Sequence, residues 1–128
     1  MRILRDIDIE DVVRGALSSH IKAYCRPLPA DFSMPSILVQ QVGGSDTETI
    51  DTFEVVLDSR AETEAEAMET LRNAVGILRT VAALQTTEIR SITVNSLGSW
   101  NVDPVRPDIA MCSARLRVVA HLESVEIE

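Results

Sequence analysis

Apolar residues first recur at helical spacing: Val12, Val13, Ala16, Leu17 and Ile21. Asp8 stands where it can cap such a helix, and Glu10 and Asp11 suit its positive N-terminal end. A first helix is therefore predicted from Asp8 to about Lys22. The period then changes. Ser36 to Val42 is a β-rich run, and Thr52 to Asp58 alternates, with Phe53, Val55 and Leu57 on one side and Glu54, Val56 and Asp58 on the other. Gly43-Gly44-Ser45-Asp46 opens a polar stretch to Ile50, so the two runs predict a hairpin with a long acidic tip.

A longer helical stripe follows: Ala67, Met68, Leu71, Ala74, Val75, Leu78, Val81 and Ala82. Ser59 to Glu62 fits a capping box, which places the helix over Ala61 to Leu84. At 1.5 Å per residue it is about 36 Å long, enough to cover a sheet. Two more strands are predicted. Glu88 to Leu97 carries Ile89, Ile92 and Val94. Ile109 to Glu123 puts Ala110, Cys112, Ala114, Leu116, Val118, Ala120 and Leu122 on one face, and Arg115 and Arg117 on the other. Between them runs a proline-marked loop, Gly98 to Asp108, with the only tryptophan, Trp100.

The order αββαββ predicts an α+β fold: a four-stranded, mostly antiparallel sheet of two hairpins, with the long amphipathic helix packed on one face. The 128 residues suit a single domain spanning 1–128. With 45% hydrophobic but only 3% aromatic residues, the core must be aliphatic, and a stacking platform for single-stranded nucleic acid is excluded.

Arg26 to Gly44 is the most distinctive segment. Pro27, Pro29 and Pro35 fix φ and bias their predecessors away from helix. They predict an extended arm that presents backbone to a surface, with Leu28 and Phe32 as its apolar contacts.

The net charge of -8 is localised. Between Ser45 and Thr70, nine acidic residues face only Arg60, while acids and bases balance on either side. A domain gripping nucleic acid from outside needs the opposite sign.

Catalytic signatures are missing: no phosphate-binding loop, no dinucleotide fingerprint, no nucleophile elbow and no H-E-x-x-H. Either His20 or His121 could partner a nucleophile, but no local pattern supports it and a surface role is the expectation, so no catalytic residue and no enzyme activity are expected. Cys25 and Cys112 are too few and too far apart for a metal knuckle, and reduced, structural thiols are expected. Asp46, Glu48 and Asp51 are hard oxygen donors near glycines, but the spacing is not that of an EF-hand. A solvated acidic loop is the expectation, with no metal and no cofactor. Trp100 either folds back on the sheet edge or serves as a binding anchor. Arg115 and Arg117 are expected to pair across strands with Glu54 or Asp58. No apolar run is long enough to cross a bilayer, and the first residues, Met1 to Asp6, show no signal-peptide pattern, so a cytosolic protein without membrane contact is expected.

Leu28-Pro29 and Pro35 leading into Ile37-Leu38-Val39, Gly43-Gly44, Ala65-Glu66-Ala67, Gly98 with Trp100, Asp103-Pro104, Pro107 and the strand through Arg115 and Arg117 occur in that order over nearly the whole chain. In this the chain resembles the tail-terminator, or tail-completion, proteins of long-tailed bacteriophages. The resemblance implies a non-enzymatic virion protein, assembled in the host cytoplasm, that forms a homo-oligomeric ring, commonly a hexamer. Such a ring sits on the head-proximal end of the tail tube. It stops tube growth and joins the tail tube protein to the head-tail connector, while DNA passes through without specific binding. On this reading Pro27, Leu28, Pro29, Phe32, Trp100, Val102 and Pro104 make subunit or tube contacts, and Asp46, Glu48 and Asp51 form an acidic tip facing the lumen. The alternative is a small non-enzymatic adaptor domain using the same hairpins for another partner.

Overall fold

The computed structural model describes residues 1–47 and 50–128. The chain is α+β, with two helices, a mixed five-stranded sheet and a separate two-stranded ribbon. In order these are β1 (Arg2–Arg5), α1 (Ile9–Leu17), β2 (Ala23–Cys25), β3 (Ser36–Asp46), β4 (Ile50–Ala61), α2 (Glu64–Leu84), β5 (Ile89–Asn101), β6 (Ala110–His121) and β7 (Glu123–Glu126). The sheet order is β2-β3-β4-β6-β5. The β3–β4, β4–β6 and β5–β6 pairings are antiparallel, and β2 runs parallel to β3.

The α+β class, both hairpins and the long helix are as expected, but the expected four-stranded sheet gains an edge strand and a ribbon. The extra strand, β2, begins at Ala23, just past the expected helix end near Lys22, and the helix itself ends earlier than expected. α1 stops at Leu17 and the chain turns through Ser18 and His20, where the amides of His20 and Ile21 both donate to the Leu17 carbonyl. The ribbon joins the chain ends. Arg2–Arg5 pairs antiparallel with Glu123–Glu126, and Arg5 Nε meets Glu123 Oε1 at 2.6 Å.

The proline-rich segment is a crossover loop rather than a protruding arm. It leaves β2 at Cys25 and returns to start β3 alongside, so both its ends are fixed in the sheet. Tyr24 Oη accepts the Ser33 amide at 2.9 Å, and the Phe32 amide donates to the Pro29 carbonyl.

Both helices lie on the same face of the sheet. The α2 stripe predicted from sequence buries Ala67, Leu71, Ala74, Val75, Leu78 and Ala82 against Val55, Leu57, Leu116 and Val118, while α1 contributes Ile9, Val13 and Leu17. A fully buried Leu or Val contributes about 1.5–3 kcal/mol, so this aliphatic layer holds the domain without aromatic bulk. The cap of α2 is Thr63, whose Oγ1 accepts the Glu66 amide, rather than Ser59. Ser59 to Ala61 remain in β4, and the buried Ser59 hydroxyl donates to the Ala67 carbonyl at 2.7 Å.

The glycines expected to end the first hairpin strand lie within it. β3 runs on through Gly43 and Gly44 to Asp46, with a bulge between Gln41 and Gly43. β5 likewise continues past Gly98 to include Trp100 opposite Cys112, and its pairing shifts register at three places.

Candidate functional site

The sheet's alternation brings the acidic residues together. Phe53, Val55 and Leu57 point into the core, and Asp51 is the next residue of the same parity, so its side chain enters the protein at the end of β4. It is only 1% exposed. Asp46 lies directly opposite it across the hairpin, and like charges in that position repel. The turn from β1 into α1 adds Asp6. The three residues each place a carboxylate oxygen within 4.8 Å of the others. They line a cavity of about 240 Å³ with Gln41, Gly44, Ser45, Thr52 and Phe53.

Among the described residues, no lysine or arginine lines this cavity. Neither Asp51 oxygen accepts a well-formed hydrogen bond among those residues, and the nearby Ile7 amide lowers its pKa less than the other effects raise it. Burial first, then a proton contact with Asp6 and the charges of Asp6 and Asp46, push its carboxyl up to about 6. The expectation of an exposed acidic tip therefore needs correcting. Asp46 is exposed, but Asp51 is turned inward by strand parity, and Glu48 lies outside the described residues. Asp6 was not legible as a member, because only the fold brings it to the hairpin.

A second polar centre ties the two proline-marked loops together. Arg60, at the outer end of β4, meets Asp103 of the β5–β6 loop through Nε and Oδ2 at 2.7 Å. Its guanidinium lies 6.0 Å from the centroid of the Phe32 ring in the β2–β3 loop. Both Arg60 and Asp103 are buried. Sequence alone suggested Arg60 only as the single cation in an acidic stretch.

Around this clasp the expected contact residues are unevenly exposed. Pro27 is exposed, while Leu28, Pro29 and Phe32 are half-buried. Trp100 is 47% exposed on β5, Val102 is 72% exposed, and Pro104 is exposed on the loop. Val105, not singled out from sequence, is the most exposed of the apolar loop residues at 83%. Trp100, Val102 and Val105 thus form an apolar end to the domain.

The face without helices carries a hydrogen-bonded network. Gln40 Nε2 and Ser113 Oγ both donate to Asp58, and Asn101 Nδ2 donates to Ser113 Oγ. Asp58 is therefore satisfied without an arginine. Arg117 does pair across strands with Glu54, at 3.3 Å, as expected. His20 and His121 lie apart, His20 in a shallow groove between α1 and α2 and His121 beside Arg90 at the sheet edge. Cys25 and Cys112 are free thiols.

No protein-family model matches the chain, and no curated protein matches it.

Proposed function

We propose that this chain is a non-enzymatic structural subunit that closes into a ring at the head-proximal end of a phage tail tube. There it ends tube growth and offers a surface to the head-tail connector. The observation that carries the reading is the pair of dissimilar free edges on one sheet. On one side β5 exposes 13 residues of edge backbone, ending at Trp100 and Asn101. On the other, β2 covers only Ile37–Val39, so among the described residues no strand pairs with the outer side of β3 from Val42 to Asp46.

Two unlike edges suit heterologous, head-to-tail contact, in which one patch meets a different patch on the next subunit and a ring closes. Strand addition at an edge supplies affinity through backbone hydrogen bonds. The register shifts in β5 make it a poor template for indiscriminate pairing, leaving it to a matched partner. The apolar end at Trp100, Val102 and Val105 provides anchors of the kind that dominate interfaces. Asp46 at the turn end of the β3–β4 hairpin, and the exposed glutamates Glu62, Glu64, Glu66 and Glu69 beyond the other end of β4, are separate acidic patches, each of which repels DNA. Among the described residues, no helix is long and apolar enough to cross a membrane.

The test is direct. The purified protein, alone and mixed with phage tail tubes, is sized by sedimentation and imaged by negative-stain electron microscopy. Rings of uniform subunit number, or rings formed at one tube end only, are expected. Monomers that leave both tube ends bare overturn the reading. A stable dimer indifferent to tubes favours the small adaptor domain instead.

A further inference from the structure

We propose that Asp6, Asp46 and Asp51 form a binding site for one hard divalent cation, calcium above all, that fastens the β1–α1 turn to the turn end of the β3–β4 hairpin within a single chain. Three observations converge. The three carboxylates approach within 4.8 Å of one another, about the span of two Ca–O bonds of 2.3–2.6 Å. Asp51 is 1% exposed, neither of its oxygens has a well-formed hydrogen bond among the described residues, with only the Ile7 amide nearby, and it faces the cavity that the other two line. The nearby cations are engaged elsewhere: Arg5 pairs with Glu123, and Arg26 pairs with Glu10.

The arrangement breaks two local rules at once. A carboxylate occupies a core-facing strand position, and a like charge sits directly across from it. A buried charge needs a partner or a metal, and among the described residues the lining supplies no basic side chain. The donors are all oxygen, which selects calcium or magnesium over zinc or copper. Calcium is favoured because it tolerates irregular geometry and several carboxylates, whereas magnesium keeps most of its water and uses one or two. Asp6 and Asp46 are exposed, so an ion can enter from solvent and retain water on that side.

The function assigned is structural. Asp6 belongs to the segment that β1 anchors to the C-terminal strand β7, so a bound ion links the ribbon to the main sheet. Binding requires no second subunit, which makes it independent of ring formation.

The full chain, freed of metal with a chelator, is titrated with calcium chloride and separately with magnesium chloride by calorimetry. Its melting temperature is followed with and without each ion. One calcium per chain is expected, with a dissociation constant on the order of 10⁻⁴ M or tighter, and with magnesium bound at least tenfold more weakly. Asp51→Asn and the exposed-site variant Asp46→Asn should each weaken calcium binding at least tenfold and abolish the calcium-dependent rise in melting temperature. Wild-type protein that neither binds nor is stabilised at about 10 mM calcium, well above the weakest known sites, overturns the proposal and leaves a proton-bridged Asp6–Asp51 pair. Calcium binding that survives unchanged in both variants overturns it as well.

Discussion

Arg60 and Asp103 form a buried ion pair that clasps the β5–β6 loop to the outer end of β4. Asp103 is fully used. Oδ2 accepts from Arg60, and Oδ1 accepts the amides of Val105 and Arg106 at 2.8 and 2.9 Å. The guanidinium in turn lies over Phe32. The two proline-marked loops are therefore parts of one rigid end of the domain. Removing one partner strands a charge, which is the expensive way to break a buried pair. Asp103→Ala is expected to cost about 3 kcal/mol, read from urea unfolding. The double variant Arg60→Met with Asp103→Ala should recover part of that loss. A single variant as stable as the wild type would show that the clasp is only a surface contact.

The same pair sets an acid-sensitive contribution to stability. Burial pushes the Asp103 carboxyl up, but Arg60 and the two loop amides together outweigh it and hold the group below its ordinary value. With the folded value depressed, the unfolded chain binds the proton more readily. The contribution is therefore complete above the unfolded value of about 3.9 and fades as pH falls through the lower folded value. Unfolding midpoints measured from pH 7 down to about 2, below the ordinary Asp value, should show the wild type losing more stability than Asp103→Asn. Parallel curves would remove Asp103 from the acid response.

Gly43 and Gly44 should differ sharply. A Cβ on Gly43 meets only Glu54 side-chain atoms at 3.7 Å or beyond, an ordinary contact. On Gly44, at φ +156°, a Cβ falls 2.6 Å from the Thr52 carbonyl oxygen, part of the paired backbone of β4. Gly43→Ala is expected within about 0.5 kcal/mol of wild type, as for most surface changes. Gly44→Ala should cost about 2 kcal/mol or more, because the ladder itself has to move. Thermal unfolding of the two variants side by side decides it, and equal losses would contradict this geometry.

The cap of α2 offers a similar contrast, and it shows how much of the chain could be read in advance. Thr63-x-x-Glu66 is itself a capping-box pattern, and it lies just beyond the Ser59–Glu62 match. The stripe from Ala67 to Ala82 fixed the helix and its buried face, but two overlapping cap signals could be separated only by how far β4 extends. Asp51 was within reach: continuing the Phe53, Val55, Leu57 alternation by one step places it inward. Asp6 was not, because it depends on the pairing of β1 with β7, two four-residue strands from opposite ends of the chain. β2 escaped for a like reason, since three residues carry no period. Thr63→Ala should cost about 1 kcal/mol, the usual value of a lost N-cap, measured by urea unfolding. A neutral result would return the cap to the β4 end.

Assembly should depend on the apolar end while folding does not. Trp100 is about half exposed and Val102 more so, and neither belongs to the buried core. Their truncation costs the monomer little, because surface changes away from special contacts stay near zero. An interface anchor behaves differently, since tryptophan truncation at a hot spot commonly costs about 2 kcal/mol or more of binding. In the proposed ring that penalty recurs at every subunit contact, so assembly should fail cooperatively. Trp100→Ala and Val102→Asp are therefore expected to unfold at nearly the wild-type urea concentration yet sediment as monomers where the wild type forms rings. Variants that still assemble would move the subunit contact away from this end, towards the free backbone of β3.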